Sequence, residues 1–184
     1  MSEKLNFSEI MTLVVDNDRY SSGIIGQILR GFGVAHQANV GSIEAAKKQL
    51  ETGAYHLLIT ESVFPDGNLD DFIGWIRSSS KKELRCLPIV LLTGYAFFTQ
   101  VASARDCGVN SVVRKPVSPV TLFDHIAWSA RGERPFIDAD AYIGPCRRFR
   151  FGDPAPGLNR RVSDHPDAIP AAAKTPAPGS MVAG

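Results

Sequence analysis

Four polar side chains of this 184-residue chain share one placement: each stands where a short apolar run ends. The pairs are Asp16 after Thr12–Val15, Glu61 after Leu57–Thr60, Thr93 after Pro88–Leu92, and Lys115 after Val112–Arg114. Carboxylate and hydroxyl oxygens suit a hard cation, and a lysine forms charge-assisted hydrogen bonds with acids. If the runs are neighbouring strands, the two acids, the hydroxyl and the lysine can converge on one point.

The run before Glu61 is too short for a helix and is typical of a buried strand. Pro65 and Gly67 follow it and predict a turn. Glu61 is therefore expected at the carboxyl end of its strand, facing solvent. In open α/β sheets, binding sites are built at that edge.

Strands and helices alternate from about residue 11 to residue 130, which predicts a parallel sheet with right-handed crossovers. The spacing favours a doubly wound, five-stranded, flavodoxin-like α/β fold. The predicted strands are 12–15, 34–38, 57–61, 88–92 and 112–113, and the predicted helices are 19–32, 42–53, 70–79, 97–107 and 120–130. Asp18 and Ser42 are expected to cap the first two helices, and residues 78–82 are expected to form a solvated connection.

These residues, in this order and spacing, resemble the receiver domain of two-component response regulators, the CheY-like family, over roughly Met11–Ala130. The resemblance places Asp16-Asn17 on the family's acidic pair and Glu61 on its phosphoryl-accepting aspartate. It places Thr93 on the switch hydroxyl and Lys115-Pro116 on the lysine–proline signature, whose proline is commonly cis. A bacterial, non-enzymatic signalling protein is implied.

Three positions depart from the family pattern. Asn17 lacks the charge of the second acid, Glu61 is one methylene longer than aspartate, and Val112 stands where receivers often carry an output aromatic. Phosphoryl transfer depends on positioning, so we do not expect Glu61 to be phosphorylated in the usual way. We expect no required cofactor. The ligands implied for Mg²⁺ are Asp16, Glu61 and the carbonyl of Val63, and we expect weak binding at most.

Bulk composition restricts the class of protein. Twenty lysines and arginines against nineteen acids give no global attraction to nucleic acid or membrane. We expect no membrane segment, because no apolar run is long enough to cross a bilayer. Cys86, Cys107 and Cys146 are scattered and odd in number, which favours reduced thiols and a cytoplasmic protein.

Composition divides the chain into four parts: a lead over 1–10, the receiver domain over 11–130, an arginine- and aromatic-rich extension over 131–151, and a tail over 152–184. We expect the extension to be partly ordered. The tail, rich in proline and alanine, is expected to be largely disordered. Candidate anion-binding residues in these two parts are Arg147, Arg148, Arg150, Arg160 and Arg161.

We therefore expect an atypical single-domain response regulator that acts by protein–protein contact. Its partner is expected to be a histidine kinase, a phosphotransfer protein or another signalling protein, bound through the face formed by Phe97–Ala130. No DNA-binding domain is expected. The longer carboxylate of Glu61, beside Thr93 and Lys115, suggests that the domain is held near an active-like state.

Other interpretations stay open. One is a receiver phosphorylated on a different acid, for which Asp66 is the nearest candidate, and another is an effector that binds a nucleotide through the arginines from Arg147 to Arg161. Glu61 could also be only a solvated acid at the end of a strand.

Overall fold

The computed structural model describes residues 7–94, 103–130, 135–139 and 142–146, and the backbone of residues 168–169. The fold below is that of these residues. Within them, no helix is both long enough and apolar enough to span a bilayer.

The central sheet has five parallel strands, as predicted, in the order β2-β1-β3-β4-β5. The strands are β1 (Met11–Val15), β2 (His36–Val40), β3 (Leu57–Glu61), β4 (Ile89–Thr93) and β5 (Ser111–Arg114). This order is that of the flavodoxin-like fold, in which the strand order reverses beside β1. Strands β1, β3 and β4 lie in the interior of the sheet and are almost wholly buried.

Helices cover both faces of the sheet. They are α1 (Arg19–Gly31), α2 (Ile43–Thr52), α3 (Leu69–Arg77), α4 (Lys82–Arg85), α5, described over residues 103–106, and α6 (Pro119–Ala130). One core cluster packs α2, α3, α4 and α5 against one face, and a second packs α1 and α6 against the other. The side chains of Asp18 and Ser42 cap α1 and α2, as predicted.

The β2 prediction was wrong by two residues, since the strand begins at His36 and not at Val34. Gly33 has a φ of 90°, and the N–H of Val34 donates to the carbonyl of Leu29. Together with the bond from Gly33 to Arg30, this is the Schellman motif that ends α1, so Val34 belongs to the helix terminus.

Helix α4 was not predicted, because its polar surroundings look like a loop. Leu84 is buried in the core cluster beneath it, and Arg77 donates to the carbonyl of Arg85 at 2.7 Å, so both contacts hold the short helix against the domain. Tertiary packing here outweighs a weak local pattern.

Beyond α6, the chain adds an antiparallel hairpin, β6 (Phe136–Ala139) and β7 (Tyr142–Pro145), within the extension expected over 131–151. A two-residue strand, β8 (Ala168–Ile169), pairs with the other edge of β6, a pairing that the composition of the tail did not predict. The rest of the tail expected over 152–184 lies outside the described residues.

The hairpin packs on the domain through three kinds of contact. The ring of Phe136 lies 5.5 Å from the guanidinium carbon of Arg77, and the Asp138 carboxylate pairs with Arg85 at 2.9 Å. Gly144 lies against Gly108, so closely that a Cβ on Gly144 would come within 2.9 Å of the Gly108 Cα. The hairpin is thus docked on the amino edge of the sheet.

Arg77 organises that edge. Its side chain is 2% exposed and donates to the carbonyls of Leu87 and Gly108 and to the amide oxygen of Asn110. Leu87 precedes β4 and Asn110 precedes β5, so one buried cation fixes the start of both strands. Phe136 covers the guanidinium and contributes a cation–π contact.

We predict that Phe136→Ala lowers the free energy of unfolding by about 3 kcal/mol, the lower end of the range for a buried Phe→Ala change, because the site lies at the domain's edge. Urea denaturation measures the loss. Val120→Ala is the control: Val120 is 71% exposed, and we expect no measurable change. Equal stabilities for the two variants would show that the hairpin does not stabilise the domain.

Candidate functional site

Four predicted site residues lie at the carboxyl edge of the sheet. Asp16 directly follows β1, Glu61 ends β3, Thr93 ends β4 and Lys115 directly follows β5. The register aligns these ends, because Val15 pairs with Thr60. The four consecutive strands β1, β3, β4 and β5 therefore place these polar side chains at the same edge of the sheet.

Lys115 joins the two acids. Its ammonium donates to Oδ2 of Asp16 at 2.9 Å and also to Oε2 of Glu61. The Asp16 side chain is 3% exposed, that of Glu61 is 12% exposed and that of Lys115 is 24% exposed. The three charges therefore form a largely buried cluster with a formal charge of one negative unit.

The second oxygen of Asp16 is also engaged. Oδ1 accepts the backbone N–H of Asp18 at 2.9 Å, while Oδ2 accepts the hydroxyl of Ser21 at 2.7 Å. Ser21 Oγ in turn accepts a bond from the Lys115 ammonium at 2.9 Å. Asp16 is thereby fixed by α1 as well as by the lysine.

Glu61 is linked to Thr93 through Ser62. Its Oε1 accepts the backbone N–H of Ser62 at 2.6 Å and the Ser62 hydroxyl at 2.8 Å. Ser62 Oγ lies 3.1 Å from Oγ1 of Thr93, within hydrogen-bond distance. Glu61 thus contacts the lysine directly and reaches the threonine through one intervening hydroxyl.

Sequence reasoning missed Ser62 and Ser21. Glu61 pairs with Leu92 across β3 and β4, so the next residues along the two strands, Ser62 and Thr93, lie side by side. That signal needs the register, which the sequence pattern does not supply. Ser21 lies in the first turn of α1, one turn beyond the residues that the family pattern marks.

Burial and the neighbouring charges act in opposite directions on the pKa of Lys115. Burial lowers the pKa of its ammonium, but the hydrogen bonds and charges of Glu61 and Asp16 outweigh burial, so the pKa is raised above its ordinary value. Lys115 is therefore a permanent cation near neutral pH.

The chain's own donors already bind the carboxylates that the resemblance marks as Mg²⁺ ligands. The Lys115 ammonium lies between the two carboxylates, and each carboxylate oxygen already accepts a hydrogen bond. Asn17 is exposed, and Val63 lies in the following loop with 60% of its surface exposed. Within the described residues, no group of three His, Cys, Asp or Glu side chains is arranged to hold a metal.

The hydrogen bonds described above form one network, made of Asp16, Ser21, Glu61, Ser62, Thr93 and Lys115. The remaining predicted residues lie around this network. Val112 is half-buried in β5, and the Lys115–Pro116 peptide bond is cis. Asp66 lies outside the network: its carboxylate accepts the N–H of Glu44, so it caps α2, and that bond holds its pKa below the ordinary value.

Two predictions fall partly or wholly outside the described residues. The first concerns the face over Phe97–Ala130, of which the structure describes residues 103–130. The second concerns the candidate anion-binding arginines, which all lie outside the described residues: Arg147, Arg148, Arg150, Arg160 and Arg161.

Residues 12–127 match the family described as the response regulator receiver domain. The chain is 28% identical over 114 residues to the chemotaxis protein CheY of Pseudomonas aeruginosa, covering 62% of this chain and 90% of that protein. It is 27% identical over 110 residues to CheY-3 of Vibrio cholerae, covering 60% and 83%.

Solved structures show the same fold at lower identity. A putative response regulator from Chloroflexus aurantiacus superposes with a TM-score of 0.61 at 22% identity, over 67% of this chain and 99% of that one. The chemotaxis response regulator CheY4 of Vibrio cholerae superposes with a TM-score of 0.59 at 17% identity, over 65% and 98%.

We predict that Lys115→Met lowers the free energy of unfolding by about 2–3 kcal/mol at pH 7, because two largely buried carboxylates lose their cation. The figure lies below that for a fully buried pair, since Lys115 is partly exposed. Because the pKa of Lys115 is raised in the folded state, its stabilising contribution is complete below the unfolded-state pKa of about 10.4 and is lost as the pH rises above that value. The difference between parent and variant should therefore be constant from about pH 7 to 9 and shrink above about pH 10.5.

Denaturant titrations at several pH values measure this difference. Lys48→Met is the matched control, because Lys48 pairs with Glu44 at a similar distance but both side chains are more than 70% exposed. We expect no measurable change there. Equal effects of the two substitutions would contradict a structural role for the Lys115 cluster.

Proposed function

The chain belongs to the response regulator receiver domain family of two-component signalling, and from that premise we propose that its signalling state is set by an internal ion pair and not by phosphorylation. The observation that carries this proposal is the direct contact of Glu61 with Lys115, together with its link through Ser62 to Thr93. These are the positions that match the family's acceptor, lysine and switch hydroxyl.

Glu61 imitates a phosphorylated acceptor in part. The added methylene carries its carboxylate toward the place where a phosphoryl group would lie, and there it accepts bonds from the lysine and from a hydroxyl. A carboxylate has one negative charge and two oxygens, whereas a phosphoryl group has up to two charges and three terminal oxygens. The mimicry is therefore incomplete in charge, and Ser62 bridges the remaining distance to Thr93.

The energy available is sufficient to bias a conformational equilibrium. A hydrogen bond to a charged group contributes about 1.5–3 kcal/mol, and each 1.4 kcal/mol is a tenfold change in a two-state ratio. Loss of the Glu61 charge would remove this bias while leaving the fold intact.

The same contacts work against phosphorylation of Glu61. Both of its oxygens already accept hydrogen bonds, one from Lys115 and one from Ser62, which lowers their nucleophilicity and fixes their orientation. Magnesium neutralises charge in this chemistry, and here the ammonium lies between the acids. Any Mg²⁺ binding by Asp16, Glu61 and the Val63 carbonyl is proposed to be weak.

Output is proposed to come from protein–protein contact. Receiver domains act with signalling partners such as kinases, and the proposed surface is the face formed by β5, α6 and the described part of α5. Val120, at the start of α6, gives this face an exposed apolar side chain. No enzymatic activity is proposed, and three cysteines that form no disulfide suit a cytoplasmic protein.

We predict that the intact chain takes up no label from radioactive acetyl phosphate with Mg²⁺ beyond a Glu61→Ala background. The double variant Glu61→Asp with Asn17→Asp restores the acceptor and the acidic pair, so we expect it to gain acid-stable, base-labile acyl phosphate label. A typical receiver in the same mixture is the positive control. Stoichiometric label on the parent chain, lost in Glu61→Ala, would contradict the proposal, and label retained in that variant would indicate another acceptor such as Asp66.

A further inference from the structure

A cavity of about 290 Å³ opens beside the network, between the loop after β3, the end of β4, strand β5 and helices α3 and α5. It shares two residues with the network, Ser62 and Thr93. The described lining is completed by Val63, Phe64, Gly67, Asn68, Leu69, Asp70, Leu91, Ser103, Ala104 and Val112.

The lining of the cavity combines apolar side chains with a few polar groups. Leu91, Ala104 and Leu69 are buried core residues, and Val112 is a partly buried one packed against them. Hydroxyl groups of Ser62, Thr93 and Ser103 and the amide of Asn68 supply hydrogen-bonding groups. Cavities with mostly apolar walls and a few polar groups bind small organic molecules, and this volume is at the lower end of their range.

The described lining carries a negative charge. Asp70 is the one ionisable residue among the described residues of the lining, and its Oδ2 lies 3.3 Å from Ser103 Oγ. Burial, with Asp70 nearby, raises the pKa of the neighbouring Cys107 thiol to about 12, so that thiol stays neutral. An anionic ligand would meet a carboxylate with no cation in the described lining to compensate.

We propose that this cavity binds a small organic cation, with an apolar ring or branched chain against Leu91 and Val112 and a protonated amine at Asp70. The hydroxyl of Ser103, which lies 3.3 Å from Asp70 Oδ2, can accept one of the remaining amine protons. The binding does not depend on the proposed role of Glu61. Because Ser62 and Thr93 belong both to the cavity lining and to the network of Glu61, ligand binding would also change the surroundings of that network.

The test is a titration of the full-length, ¹⁵N-labelled chain, followed by amide chemical shifts. Three probes share a phenyl ring and differ in charge: 2-phenylethylamine, 2-phenylethanol and 3-phenylpropionate. We expect the amine to shift the signals of residues 62–70, 91–93, 103–104 and 112. We expect the alcohol to bind about fivefold more weakly and the carboxylate not to bind, since a charge-assisted bond is lost or reversed.

The adjacent acids Asp70 and Asp71 provide a matched pair of variants. Asp70→Asn should reduce amine affinity to that of the alcohol, whereas Asp71→Asn should leave it unchanged, because Asp71 shares the first turn of α3 but does not line the cavity. Val112→Phe should fill the cavity and abolish binding of both probes.

Several results would overturn the proposal. One is no shift with any probe, and another is shifts confined to residues remote from the cavity. Equal affinity of amine and alcohol would exclude a cation site, as would equal losses in the Asp70 and Asp71 variants. If Val112→Phe does not fold, the Asp70 and Asp71 pair decides the question alone.

Discussion

One ammonium group held between two largely buried carboxylates is the interaction on which this site depends. Asp16, Glu61 and Lys115 come from the ends of β1, β3 and β5, and β4 lies between β3 and β5 in the sheet. The lysine therefore ties together strands that do not all pair with one another. Without it, two like charges would face each other at low solvent exposure, which is unfavourable. With it, half of the negative charge of the two acids is neutralised by the chain's own lysine.

Two basic residues, Arg77 and Lys115, stabilise opposite edges of the sheet. At the amino edge, Arg77 holds the residues that precede β4 and β5 and is covered by Phe136 of the hairpin. At the carboxyl edge, Lys115 follows β5, and its backbone N–H donates to the carbonyl of Thr93. The hairpin therefore stabilises the frame that positions the site, although it lies at the other edge of the sheet.

Much of the fold and the placement of the site followed from sequence because strand ends are local features. Apolar runs that stop at Asp16, Glu61 and Thr93 mark both a buried strand and its carboxyl terminus. Ser62 was missed because its role depends on the β3–β4 register, which fixes which side chains lie opposite each other. The docking of Phe136 on Arg77 is a tertiary contact between distant segments, and no local pattern predicts it.

The central claim is that the Glu61 carboxylate holds the domain in the state that a phosphoryl group would otherwise stabilise. The most direct measurement compares amide spectra of four samples: the parent chain, Glu61→Gln, and the double variant Glu61→Asp with Asn17→Asp, alone and with beryllofluoride and Mg²⁺. The account predicts that Thr93 and residues 103–114 of the parent resemble the beryllofluoride-bound variant, while Glu61→Gln resembles the same variant without ligand. If the parent instead resembles Glu61→Gln and the unliganded variant, Glu61 does not set the state of the domain.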